Sequence, residues 1–115
     1  MADCVFCRII RKEIPSQIVY EDANFVAFRD LNPVAPVHIL IVPRTHIQDI
    51  LELAEHPQGS AILSALPLVV KAIARQEGLR SGFRLINNCG ADGGQTVPHL
   101  HFHLIGGERL GEKLR

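Results

Sequence analysis

Pro98-His99-Leu100-His101-Phe102-His103-Leu104-Ile105 sets three of the chain's six histidines at i, i+2 and i+4. Side chains alternate faces along a β-strand. The spacing therefore predicts a strand with three imidazoles on one face and Leu100, Phe102 and Leu104 on the other, toward a core. On a helix the same residues would be splayed around the axis. Pro98 suits a strand start and Gly106-Gly107 a strand end. Imidazole titrates near neutral pH, so such a row can offer a nucleophile, an acid or base and a metal ligand. The plain alternative is a strand whose polar face merely happens to be histidine.

Directly before it runs Asn88-Cys89-Gly90-Ala91-Asp92-Gly93-Gly94-Gln95-Thr96. Successive glycines let the backbone curl so that several N–H groups point at one spot, a common way to hold phosphate oxygens. The loop is neither a P-loop nor a dinucleotide fingerprint. Thr96 can add a hydroxyl, or simply cap a turn.

Further out, 18–22 and 24–28 read as strands joined by a tight turn, 38–42 as a β-branched strand stopped by Pro43, and 83–87 as another strand. Asp30-Leu31-Asn32-Pro33-Val34-Ala35-Pro36 is a stiff loop, since prolines fix φ. Residues 46–54 read as a short helix capped by Thr45. Residues 58–77 carry helical periodicity in Ile62, Leu66, Val69, Val70 and Ile73, with Gly78 as the stop. Pro67 should kink that helix or open a shorter one. The expectation is one α+β domain over 1–115, with a five-stranded antiparallel sheet and one long and one short helix.

A chain of 115 residues with 47% hydrophobic content can bury one modest core, and chains this small often gain burial by dimerising. Zero net charge gives no long-range attraction for duplex nucleic acid or an acidic membrane. Charges at Arg8, Arg11 and Lys12 precede any long apolar run, so no signal peptide is read. The apolar stretches are too short or interrupted to span a bilayer. Three cysteines without an export signal point to a reducing cytoplasm rather than a disulfide framework. Cys4-Val5-Phe6-Cys7 is a C-x2-C pair, which needs two further ligands to hold a metal; no βαβ unit surrounds it, against a thioredoxin-like role.

His99-Leu100-His101-Phe102-His103-Leu104-Ile105 resembles the signature of the histidine triad (HIT) family, in its nucleotide-binding, Hint-like branch. Val5 through Pro15, Phe28 through His38 and Asp92 through Val97 are similar to further motifs of that branch, so the resemblance covers about residues 4 to 107. It implies a homodimer whose sheets join, and hydrolysis of purine nucleoside phosphoramidates. Relatives that hydrolyse dinucleoside polyphosphates, or bind nucleotides with weak catalysis, keep those readings open. By the same resemblance His101 is the nucleophile, forming a nucleotidyl-imidazole. His103 contacts the phosphate and supports proton transfer, His38 orients it, and His99 completes the triad. Gly94, Gln95 and Thr96 would stabilise phosphate charge. Asp30 would bind the ribose, Phe6, Ile9, Phe28 and Leu31 the base, and Asn88 would lie near the leaving group. Some relatives place zinc on the positions that are Cys4, Cys7, His46 and His99 here, which implies a structural zinc fixing His99. A His₃ zinc enzyme built on the triad itself is the remaining alternative, and it leaves the glycine loop without a role. The chain departs from the pattern at Pro98 and Thr96, where close relatives carry Tyr and Ser. Its tail, Glu108 to Arg115, lacks the Trp-Pro-Pro segment of many relatives.

Overall fold

The computed structural model describes residues 4–114. Its elements are α1 (Val5–Ile10), β1 (Ile18–Glu21), β2 (Phe25–Arg29), β3 (Val37–Pro43), α2 (Ile50–Glu55), α3 (Gly59–Gln76), β4 (Phe83–Ile86) and β5 (Phe102–Gly106). The strands form one sheet in the order β1-β2-β3-β5-β4, with every pairing antiparallel. The α+β class and the five-stranded sheet are as expected from the sequence. No helix among the described residues is long and apolar enough to cross a membrane.

Alternation along the strands feeds two cores. One face sends Phe25, Ala27, Ile39, Ile41, Phe102 and Leu104, with Leu100 from just before β5, against α3 residues such as Ile62, Leu66, Val69 and Ile73. The other sends Val26, Phe28, Leu40 and Val42 against Cys4, Phe6, Cys7 and Ile9 of the amino-terminal segment. That second layer is what positions the site.

The structure corrects four expectations. The described residues hold three helices rather than two, because residues 5–10 form α1. Cys4 caps it, its Sγ accepting the Cys7 N–H at 3.3 Å. α1 ends with Lys12 N–H bonded to Ile9 O and Glu13 N–H to Arg8 O, a Schellman closure with Lys12 at φ 61° where glycine is usual. The short helix begins at Ile50, capped by Asp49, whose carboxylate accepts from Leu51 and Glu52. Thr45 instead donates its hydroxyl to Gln58. α3 continues on both sides of Pro67, so the proline does not open a shorter helix. Pro67 and Leu63 both lie on its exposed side, so the carbonyl left without its usual donor faces water. Finally, β5 starts at Phe102. Pro98 centres a three-residue turn, with His99 N–H on Val97 O at 2.8 Å, and this takes His99 and His101 out of the ladder.

Candidate active site and metal centre

Although only His103 lies in a strand, all three imidazoles still share the α1 side of the sheet. Phe6 packs edge-on against His101 and His99, with ring centroids 5.0 and 5.9 Å away, and His101 lies 5.1 Å from His103.

His99 turns into the protein. The ligand atoms of Cys4, Cys7, His46 and His99 lie within 4.8 Å of one another. His99 Nδ1 is 3.2 Å from Cys4 Sγ and 3.6 Å from Cys7 Sγ, and His46 Nδ1 is 3.2 Å from Cys7 Sγ. Two sulfurs and two imidazole nitrogens converging from three segments are the donor set of a tetrahedral zinc centre. His99 Nε2–H donates to Pro43 O at 2.9 Å, which leaves Nδ1 bare toward the sulfurs. Burial pushes the His99 pKa down to about 4, so its imidazole is neutral at pH 7. Burial, with the Cys4 sulfur beside it, pushes the Cys7 thiol up to about 11. A divalent cation reverses that balance by stabilising the thiolate. These residues fit zinc.

A second group, Asp30, His38 and His103, is equally compact but is set up differently. The Val34 N–H donates to His38 Nδ1 at 3.1 Å, so the His38 proton sits on Nε2. Nε2–H then donates to His103 Nδ1 at 3.0 Å, with Asp30 Oδ2 3.4 Å away. A protonated ring nitrogen has no lone pair for a metal. This group is a hydrogen-bond chain, and it fixes the His103 proton on Nε2. Burial, reinforced by His101 and His38, lowers the His103 pKa, which keeps that ring neutral.

His101 has its Nδ1–H on the His99 carbonyl at 2.7 Å, which frees Nε2 as a lone-pair donor. A metal ligand's own main chain thus orients the candidate nucleophile. Asn87, to which the sequence pointed no role, donates its Nδ2–H to the His101 carbonyl at 3.0 Å.

In the glycine loop a Cβ on Gly93 would meet Cys89 O at 2.5 Å, and Gly94 has φ 82°, so both positions need glycine. Gln95 is engaged by protein groups. Its Oε1 accepts from Gly90 N–H at 2.9 Å, and its Nε2 donates to Gln48 O at 2.8 Å and Val97 O at 3.0 Å. The exposed Thr96 has neither N–H nor hydroxyl bonded to protein among the described residues. Phe6, Ile9 and Phe28 are buried together, whereas Leu31 is 91% exposed. Asp30 Oδ1 accepts the Asn32 N–H at 2.8 Å, which caps its turn and leaves Oδ2 toward His38. Asn88 and Cys89 are half-buried.

The model of the HIT domain matches residues 11–110. The chain is 47% identical over 114 residues to the purine nucleoside phosphoramidase of Escherichia coli K12, covering 97% of this chain and 93% of that one. It is 47% identical over 107 residues to the 14 kDa zinc-binding protein of Zea mays, covering 92% and 83%. Among solved structures, a HIT family hydrolase from Clostridium thermocellum superposes with a TM-score of 0.93 at 44% identity, covering 100% and 99% of the two chains. With a family model spanning most of its length and a histidine row in the geometry just described, the chain belongs to the HIT family.

Proposed function

We propose that the protein hydrolyses purine nucleoside 5′-phosphoramidates to the nucleoside monophosphate and an amine, through a nucleotide carried on His101. The observation that carries this reading is the pair of fixed tautomers. His101 presents a bare Nε2, held by Nδ1–H on His99 O, beside His103 with its proton on Nε2. His101 Nε2 attacks the α-phosphorus, the P–N bond breaks, and the leaving nitrogen takes the proton from His103 Nε2. His103 Nε2 then accepts a proton from water. The oxygen of that water attacks phosphorus, the bond to His101 breaks, and the monophosphate leaves. The Thr96 N–H and hydroxyl face the phosphate oxygens, while Gly94, whose N–H is held by Ala91 O at 3.0 Å, and Gln95 shape the loop that presents them, and Asn88 faces the leaving group. Asp30 receives the ribose, and Phe6, Ile9, Phe28 and Leu31 form the base slot. The named relative from Escherichia coli supports this substrate class.

Zinc on Cys4, Cys7, His46 and His99 would hold the amino-terminal segment to the residue that orients His101; the donor set and the zinc-binding relative support its presence. The working unit in this reading is a homodimer joined at β4. That strand lies at the sheet edge, with Phe83 44% and Leu85 39% exposed. Beside it a cavity of about 530 Å³ is lined by apolar residues such as Leu66, Val70, Phe83 and Leu85, with Lys71 and Arg75 also on its wall.

The test compares rates on a fluorogenic adenosine phosphoramidate and a diadenosine polyphosphate, for wild type and His101→Ala. Faster phosphoramidate turnover that falls about a thousandfold or more in the variant is expected. Faster polyphosphate turnover would reassign the substrate, and AMP binding without turnover of either would make this a nucleotide-binding protein.

A further inference from the structure

The candidate nucleophile's main chain lies just where the sheet releases it. β5 pairs with β3 from Phe102 onward and with β4 from His103 onward, so His101 has no ladder partner on either side. Pro98 turns the chain immediately upstream and contributes no N–H of its own. Hydrogen bonds tie this segment down at several points. Besides the turn bond from His99 N–H to Val97 O, Leu100 N–H donates to Ile47 O, His99 Nε2–H donates to Pro43 O, His101 Nδ1–H donates to His99 O, and Asn87 Nδ2–H donates to His101 O at 3.0 Å. Of these, the Asn87 bond is the one that grips the main chain of His101 itself. Asn87 directly follows β4, whose last pair is Ile86 with His103. Its side-chain amide takes over where the strand pairing stops.

We infer that Asn87 is a positioning residue for the attack by His101, an inference that rests on the hydrolytic reading above. The bond from His101 to the His99 carbonyl fixes how the ring is turned. The Asn87 bond fixes the peptide from which the ring projects. Nε2 can meet phosphorus in line only if both hold, because small misplacements of a reacting atom are costly to the chemical step. Nothing in this arrangement asks Asn87 to touch the nucleotide. Its loss therefore acts on kcat and not on KM, in contrast to its neighbour Asn88, which the functional reading places near the leaving group.

The test uses the full chain loaded with zinc, as wild type, Asn87→Ala and Asn87→Asp. Aspartate preserves the size and removes the donor, setting a carboxylate oxygen against the His101 carbonyl. Loss of one hydrogen bond of this kind is expected to lower kcat about fivefold to tenfold in Asn87→Ala, and at least as far in Asn87→Asp. KM and AMP affinity should stay within about twofold of wild type, since every contact assigned to the nucleotide is retained. The ¹³C resonance of the His101 carbonyl should move in both variants. A kcat equal to wild type in both, or a raised KM at unchanged kcat, would overturn the inference. So would an unmoved carbonyl resonance, whether or not the protein turns over substrate. A wild type that binds AMP without hydrolysing it would refute the hydrolytic reading alone, and the resonance would still report whether Asn87 holds His101.

Discussion

Acid should strike the metal-free protein first at His99. This imidazole is completely buried, donates Nε2–H to Pro43 O, and points its other nitrogen at two sulfurs. A proton added at Nδ1 would bring an unsolvated charge into the core, so the pKa falls from 6.5 to about 4. A folded pKa below the unfolded one means that the unfolded chain binds the extra proton between the two values. Stability is then unaffected above about pH 6.5 and falls as pH drops toward 4. At 1.36 kcal/mol per pKa unit the shift costs about 2 kcal/mol at pH 5 and about 3 kcal/mol at pH 4. Urea unfolding of the zinc-free protein at pH 7, 5 and 4, beside His99→Gln, isolates the contribution, because glutamine can still donate to Pro43 O and does not titrate. Wild type should lose about 3 kcal/mol more than the variant between pH 7 and 4. Equal losses would refute the argument that burial keeps His99 neutral. Zinc should steepen the fall, since acid must then also displace the metal.

Lys12→Gly should stabilise the protein by about 0.5–1 kcal/mol, because glycine removes the strain at φ 61° while the exposed pair with Glu21 contributes little; thermal unfolding measures it, and a loss of stability would contradict the cap. Leu85→Arg should shift a dimer to monomer in light scattering by setting a charge into the apolar edge at β4; an unchanged mass would place any dimer contact elsewhere. Gln95→Ala removes three bonds that tie the glycine loop to itself and to Gln48. Amide exchange over residues 90–97 should quicken and kcat fall about ten- to a hundredfold, and unchanged exchange would contradict a staple.

The sheet was legible because β2 and β3 are long enough for hydrophobic residues to identify them unaided, and because α3 repeats its apolar positions over five turns. α1 was not legible. Its six residues are too few for periodicity, and its cap is a cysteine, whose sulfur is a weak acceptor outside the usual capping set. The alternation at 99, 101 and 103 correctly pointed to a shared face but overextended the strand, since one local bond across Pro98 breaks the ladder without altering which way the rings project. The four zinc ligands came from family resemblance, because His46 and His99 are brought to the C-x2-C pair only by tertiary packing. Asn87 gave no local signal at all. Its contact depends on the register between β4 and β5, and the tautomers of His38 and His103 depend on a loop N–H from Val34.

The most direct measurement is rapid quenching of the enzyme with an adenosine phosphoramidate, followed by mass spectrometry of the peptide that carries the three histidines. A transient gain of one adenylyl group on His101, kinetically competent for turnover and absent in His101→Ala, is the expected result. Steady turnover with no adduct in wild type, or an adduct on His99 or His103, would contradict the assignment of His101 as nucleophile.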